Sequence, residues 1–563
     1  MKKKIVIAEY ISTGFNLIYD VLSLGYEPVL LDGIYVGEDE DVALLRADRE
    51  KLRNRLPKGL IHIEENPDYD AVLKQVRELD PVLVIAGSEF GVPYATRLAE
   101  DLGLPGNPVS QLKAMTEKDA MHQALKDAGL RYIRGRIISS VEEAESYYYE
   151  LGNKEVVVKR VRGAGTQGVY LCSDFDEMMD AVKKELEYAV QSEGGVVPLL
   201  IQERIIGKEY IVNTVSHKGK HRMTSLWEYD KVRLSNGTNA YNHIRAIKDL
   251  DIGHSRLIRY AYDVLDAIGV KYGAVHAEFM LDQKGPVLIE VNCRPMGAGM
   301  GRKFVEKVFG HHETDCALES YIDPAKFEAD KQKPYRPLRY GAVKTFILPE
   351  DMAAESTPVL PITKRLKTFY TALFDRIGRD PVITRTKNLE TTGGFVYMVS
   401  DDEKELKNEL ELLHTLEMKY PDILFQKTSP VKETDVPRAD LNEILKKMKC
   451  GGATLVFSDD PHPIEGATVI GEGELRDAYD SYENGILDLC KYESFQDLEI
   501  IIEQIYIFSD KIREGGRIII PESTYSNLPY GMEGMEILLK IVGMRIEAPE
   551  SELKGVLVAS VVK

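Results

Sequence analysis

The chain has 563 residues, 44% of them apolar and 29% charged, with a formal net charge of −19. One hydrophobic core does not grow to that size, so several domains are expected, and the acidity argues against general affinity for nucleic acid or an anionic membrane. Five cysteines (Cys172, Cys293, Cys316, Cys450, Cys490) show no CxxC spacing, which reads as reduced thiols without a zinc site.

Near the start, "IVIA" is too short for a signal-peptide core, and no run approaches the roughly 18 apolar residues of a membrane helix. The expectation is a cytoplasmic protein. Residues 1–106 alternate apolar runs ("KKIVIAEY", "EPVLLDG", "GLIHIEE", "DPVLVIAG") with amphipathic stretches, the pattern of a parallel α/β domain. "EYISTGFN" after the first run reads as a structural turn. A loop with two prolines and then a helix ending at Gly129 cover 104–130. Between 134 and 205 the pattern changes to strands ("RGRIIS", "EVVVKRV", "GVYLC", "PLLIQERI") interrupted by a Glu- and Lys-rich helix at 174–192. "KEYIVNTVSHKGK" and "HRMTSLWEYDKV" alternate as antiparallel strands. A helix follows at about 254–268.

Two glutamates then stand among residues that are normally buried. "YGAVHAEFMLDQKGPVLIEVNCRP" (272–295) puts Glu278 and Glu290 on two apolar strands. With a strand period of two, His276 and Glu278 share a face, as do Glu290 and Asn292. Pairing through "DQKG" would gather hard oxygen ligands around one point, the chemistry that selects Mg²⁺ or Mn²⁺. A salt-bridge network between strands is the alternative. Arg294 continues the alternation and suits bidentate contact with a phosphoryl or carboxylate oxygen.

Upstream, "VVVKRVRGAGTQGVYL" (156–171) is a strand ending in Lys159, a loop with Gly163, Gly165 and Gly168, and a returning strand. Exposed backbone N–H groups in such a loop can cradle phosphate, although a mobile turn has the same composition. No Lys-Ser/Thr follows the glycines, so it is not a Walker A loop. In "LLIQERIIGKEYIV" (199–212) the backbone of Glu203–Ile205 could read an adenine edge and Glu209 could accept from ribose hydroxyls. A plain turn at Gly207 fits as well. No Ser/His/Asp or Cys/His arrangement suggests a covalent nucleophile.

Taken in order, a Lys on the entry helix ("TEKDAM"), a strand Lys, a Gly-rich flap, "ERIIGKE" and "E…EVN.R" resemble the ATP-grasp superfamily, over about 1–325 in layout and most strongly over 115–300. The resemblance implies ATP held between two antiparallel-sheet lobes. It places Lys118 and Lys159 on the phosphates, under a flap of Gly163, Gly165, Thr166, Gln167 and Gly168. It assigns Gln202, Glu203, Arg204 and Ile205 to the adenine hinge and Glu209 to the ribose. Glu278, Glu290 and Asn292 would hold two divalent ions, Mg²⁺ or Mn²⁺. Lys159 and Arg294 would take part in catalysis, and "YNHIRAI" (241–247) offers His243 and Arg245, with Arg294, as substrate contacts, although a surface strand has the same pattern.

Within that superfamily "HAEFML…GPVLIEVNCRPMGAGM" is most similar to L-amino-acid ligases such as bacilysin-type dipeptide ligases and carnosine synthase. D-alanine–D-alanine ligases usually carry Asp where this chain has Glu278. The match to "EVNPRPGG" departs at Cys293 and Met296. The implied reaction is ATP-dependent activation of an amino acid or small carboxylate as an acylphosphate, followed by attack of an amine. A bicarbonate-activating carboxylase and a non-catalytic nucleotide-binding regulator are alternatives, and such ligases are often homodimers.

The expected domains are 1–106, a catalytic core 107–330 with its flap lobe at about 134–205, a small lobe 331–430, a linker 431–449 and a C-terminal domain 450–563. In the small lobe "GGFVYMVSDDEKELKNELELLHTLE" reads as a strand and an exposed helix. The last domain resembles the second half of a class I methyltransferase, Rossmann-like in fold, and a bifunctional ligase–methyltransferase is a further alternative. Its GxG ("VIGEGE", 469–474) is a weak match to the S-adenosylmethionine loop. The fold class is thus a multidomain mixture: parallel α/β, ATP-grasp lobes with antiparallel sheets, and a C-terminal α/β domain.

Overall fold

The structure, a computed structural model, describes residues 2–562 apart from 36–39, 55, 58, 153, 161–167, 193–197, 235–238, 298–299, 354–358, 375–381, 388–390, 426–438, 449–452, 459–460, 472–481, 490–497, 527–529 and 549–555. The chain divides into two compact units, Met1–Ala342 and Val343–Lys563.

The first unit opens with four parallel strands, β1 (Lys4–Ala8), β2 (Glu27–Leu31), β3 (Ile61–Ile63) and β4 (Pro81–Ala86), in the order β3-β2-β1-β4. They are the four apolar runs expected. Ile5, Val6, Ile7 and Ala8 are all buried because helices cover both faces of the sheet. The turns after β1 and β4 touch closely. A Cβ on Gly14 would lie 2.4 Å from the carbonyl oxygen of Gly87, so only glycine fits there.

Next comes an antiparallel sheet of β5 (Gly135–Ile138), β6 (Val156–Arg160), β7 (Tyr170–Cys172) and β8 (Leu199–Glu203), ordered β5-β8-β6-β7. Helices Val141–Glu150 and Phe175–Ser192 accompany it. Val156, Val158, Leu199 and Ile201 pack with Tyr147, Tyr148, Met178 and Val182 in one core. By alternation the opposite face carries Val157, Lys159, Leu200 and Gln202.

Five further strands, β9 (Lys208–His217), β10 (Lys220–Arg233), β11 (Asn239–Ala246), β12 (Gly273–Asp282) and β13 (Gly285–Asn292), run antiparallel in the order β13-β12-β9-β10-β11. Helix Ile252–Ala267 backs them, started by a capping box between Asp251 and His254. Its Leu257, Ala261, Val264 and Leu265 join Val212, Phe279, Leu288 and Val291 in one hydrophobic core.

In the second unit, strand Phe395–Ser400 pairs with Phe369–Leu373 and is followed by helix Glu403–Lys419. That helix is not simply exposed. Leu406, Leu410, Leu413 and Leu416 form a buried stripe at helical spacing. A six-stranded sheet completes the unit, ordered Thr468–Ile470, Thr454–Ser458, Tyr482–Asp488, Ile512–Pro521, Val556–Val561 and Met544–Glu547. The first four strands are parallel and the last two antiparallel. Among the described residues no helix is long and apolar enough to cross a membrane.

Candidate nucleotide and metal site

β12 and β13 form a hairpin in which Glu278 stands directly opposite Glu290 and His276 opposite Asn292. Like charges in such a pair repel, and the structure surrounds them with cations. Lys118, the first residue of helix Lys118–Asp127, places its ammonium 2.8 Å from Glu290 Oε2. Asn292 Nδ2 donates to Glu290 Oε1 at 3.0 Å. Burial works against the charged carboxylate of Glu290, but Lys118, Asn292 and Lys159 outweigh it and hold its pKa down to about 2. For Glu278 burial is likewise overcome, chiefly by His276, whose Nε2 lies 3.3 Å away. Tyr229 donates to the same Glu278 oxygen at 3.4 Å.

Lys159 is buried on the open face of β6, and burial followed by repulsion from Lys118 brings its ammonium down to about 8. His122, one turn along the Lys118 helix, is also buried. Burial and Lys159 push it down to about 3, so it is neutral. The structure thus brings Lys118, Lys159, Glu278, Glu290 and Asn292 together.

Glu209 is close by, but its carboxylate meets Lys231 at 2.6 Å. Lys231 lies between the rings of Tyr229 (4.9 Å) and Tyr241 (4.6 Å), a cation–π cage. Burial and the nearby Glu278 raise the Glu209 pKa, although Lys231 opposes this. Lys231 itself is held above its usual value, Glu209 overcoming burial. Sequence reasoning missed Tyr229, Lys231 and Tyr241. A lysine alternating with aromatics in "WEYDKV" was the available signal.

The hinge expectation narrows to backbone. Glu203 binds Arg134 through its side chain (3.0 and 3.1 Å), and Arg204 pairs with Glu155 at 3.0 Å. The N–H groups of Glu203 and Arg204 bond the carbonyls of Arg134 and Glu155, and Ile205 follows them. Gln202 is buried on the same face as Lys159. Of the flap, Gly163, Gly165, Thr166 and Gln167 lie outside the described residues. Gly168 has a φ of +63°, and a Cβ there would come within 3.0 Å of the Arg160 side chain.

His243 and Arg245 do not join the site. A bulge between Asp230 and Lys231 shifts the β10–β11 register, so that Tyr241 pairs with Lys231 while His243 pairs with Asp230 and Arg245 with Glu228. Both residues fall on the sheet face away from Glu278, with His243 3.4 Å from Asp230 and Arg245 3.5 Å from Glu228. Arg294 turns instead to the loop after β4. Its guanidinium is 3.5 Å from Glu89 and donates to the carbonyl of Pro295 at 3.0 Å. Cys293 packs in the apolar core, where burial pushes its thiol up to about 12.

Among the described residues no group of three or more His, Cys, Asp and Glu is arranged to hold a metal ion by itself. Two opposed carboxylates and an amide are nevertheless the donor set for an ion that brings its remaining ligands as water and phosphate oxygens.

Comparison with known proteins agrees with this geometry. Residues 116–298 match the family model described as phosphoribosylglycinamide synthetase, ATP-grasp (A) domain, which supports an ATP-grasp assignment for that segment. It is 28% identical over 369 residues to dapdiamide A synthase of Enterobacter agglomerans, covering 63% of this chain and 82% of that one. An L-amino acid ligase from Bacillus licheniformis shares the fold with a TM-score of 0.57 at 19% identity, covering 74% of this chain and 98% of that chain. An ATP complex of carboxyaminoimidazole ribonucleotide synthase from Aspergillus clavatus superposes with a TM-score of 0.53 at 14% identity, covering 74% and 99%.

Proposed function

We propose that the protein is an ATP-dependent carboxylate–amine ligase that activates an amino acid or small carboxylate as an acylphosphate and releases ADP and phosphate. The observation that carries this reading is the pair Glu278–Glu290 set against Lys118 and Lys159. Glu278, Glu290 and the Asn292 carbonyl would hold Mg²⁺ or Mn²⁺. Such an ion neutralises charge on the transferring phosphoryl group. Lys118 and Lys159 supply cations for the same phosphates. The carboxylate oxygen of the substrate attacks the γ-phosphorus, ADP leaves, and an amine then displaces phosphate from the acylphosphate carbon.

Arg294 and Glu89 present a cation and an anion side by side, the complement of a zwitterionic amino acid. That arrangement, with 28% identity to a dapdiamide synthase, favours an amino acid over bicarbonate. The test is phosphate release with ATP and Mg²⁺ against pairs of amino acids. Amino-acid-dependent ADP formation is expected. Formation of AMP, or no stimulation by any amino acid or small carboxylate, overturns the reading.

For the second unit, the parallel strands with an antiparallel edge pair support a class I methyltransferase-like scaffold. Within "VIGEGE", residues 472–474 lie outside the described residues. Calorimetry of the full chain with S-adenosylmethionine separates a scaffold, which gives no heat, from a methyltransferase.

A further inference from the structure

Beneath the paired carboxylates runs a line of polar groups that phosphoryl transfer does not itself require. His276 on β12 and Ser225 on β10 both stand opposite Asn213 on β9, and all three are buried. Glu313 opens helix Glu313–Ile322. Its Oε1 accepts from Asn213 Nδ2 and from Ser225 Oγ, the latter at 3.1 Å. Its Oε2 accepts from the Met296 N–H at 2.8 Å.

The polarity of this line follows from its end. A carboxylate only accepts hydrogen bonds, so Glu313 fixes the Asn213 amide with its nitrogen toward the helix and its oxygen toward β12. Asn213 Oδ1 is 2.9 Å from His276 Nδ1, which therefore carries a proton. The other ring nitrogen is turned to Glu278 at 3.3 Å. The second oxygen of Glu313 meanwhile holds the turn two residues beyond Arg294. One carboxylate touches both ends of the site.

We propose that Glu313 is a positioning residue, which orients Glu278 through Asn213 and His276 and holds the Arg294 turn through the Met296 amide. What the two ends do rests on the ligase reading; the network does not. It resembles the hydrogen-bonded supports behind metal ligands, whose loss typically lowers metal affinity by about 10–100-fold.

The test is Glu313→Gln in the full chain. A glutamine has one acceptor oxygen on its amide, so it cannot accept from both the Met296 N–H and Asn213 Nδ2. The Asn213 amide then reverses and the proton leaves His276 Nδ1. Nitrogen NMR of histidine-labelled protein, with the ring assigned by its loss in His276→Asn, reads this directly. The expected result is a protonated Nδ1 in the wild type and its loss in E313Q. In the same variant Mn²⁺ affinity in the presence of ADP falls about tenfold.

Unchanged ring signals and unchanged Mn²⁺ affinity in folded E313Q overturn the proposal. If E313Q does not fold, Asn213→Leu cuts the same line in its middle and must alter the same ring signals, or the proposal fails. A ring change between wild type and E313Q, with no uptake of Mn²⁺ by the wild type in the presence of nucleotide, overturns the ligase reading and leaves the network standing.

Discussion

Lys118 Nζ and Glu290 Oε2 meet at 2.8 Å, joining the start of a helix to the edge strand of the large sheet. The pair is poised to exchange partners. If a divalent ion takes the carboxylate, the lysine is released to the phosphates that arrive with it. Glu290→Gln therefore removes the anion from both arrangements. Phosphate release should fall by at least about a hundredfold, in a variant that thermal unfolding shows to be still cooperatively folded. An E290Q variant with full turnover would undo the metal assignment.

Lys159 carries a charge at a cost to the empty protein. Its pKa of about 8 lies below the usual value of about 10.4, so between those values the unfolded chain binds more protons and stability rises with pH. Lys159→Met should abolish that rise and stabilise the unliganded protein at pH 7, while eliminating ligase turnover. ATP binding near pH 8 should take up protons, seen as a binding heat that varies with the ionisation enthalpy of the buffer. Binding heat independent of the buffer would contradict it.

The hairpin is anchored at its tip. Arg131 donates to both oxygens of Asp282 at 2.7 Å and to the Gly285 carbonyl at 2.6 Å. The hydrogen bond from Arg131 holds the Asp282 carboxyl below its ordinary value. Its contribution is present above about pH 4 and is lost as pH falls through the lowered value. Asp282→Ala should cost about 2 kcal/mol at neutral pH, with the difference from wild type shrinking in acid. Denaturant melts across pH check it.

In the second unit Lys344 and Glu417 are a fully buried ion pair at 2.5 Å, with His414 also on Glu417 at 2.8 Å. Removing one partner leaves an uncompensated charge. Lys344→Met should destabilise this unit by about 3–5 kcal/mol, and the further change Glu417→Leu should restore much of the loss. Additive losses in the double variant would refute this.

His243→Ala should leave amino-acid KM and kcat within about twofold of wild type, because the residue lies on the far face of the sheet. A large KM effect would put it back in the site.

That last case shows where the sequence stops being readable. Period-two alternation located Glu278, Glu290 and Asn292 because His276–Glu278 and Glu290–Asn292 pair regularly, the hairpin's own bulge falling just beyond, between Glu278 and Phe279. Across β10 and β11 alternation could not have served, because one extra residue at the bulge puts Tyr241 on the Glu278 face and His243 on the other. Glu89 and Glu313 were invisible for a different reason: they reach the site from distant segments, and one chain carries no local pattern for such meetings. The four parallel strands were legible throughout, since burial on both faces leaves continuous apolar runs.

The hairpin that carries Glu278 and Glu290 also sets an order of assembly. Its strands are joined by a tight turn, and such hairpins close in about 1–10 μs. Closure brings two like charges together long before Lys118 and Lys159 can be recruited from remote parts of the chain. The floor of the site therefore forms against its own repulsion and is sealed only when the lysines dock. Salt, which screens that repulsion, acts on the folding rate of this segment more than on the finished protein, where the countercharges are already in place.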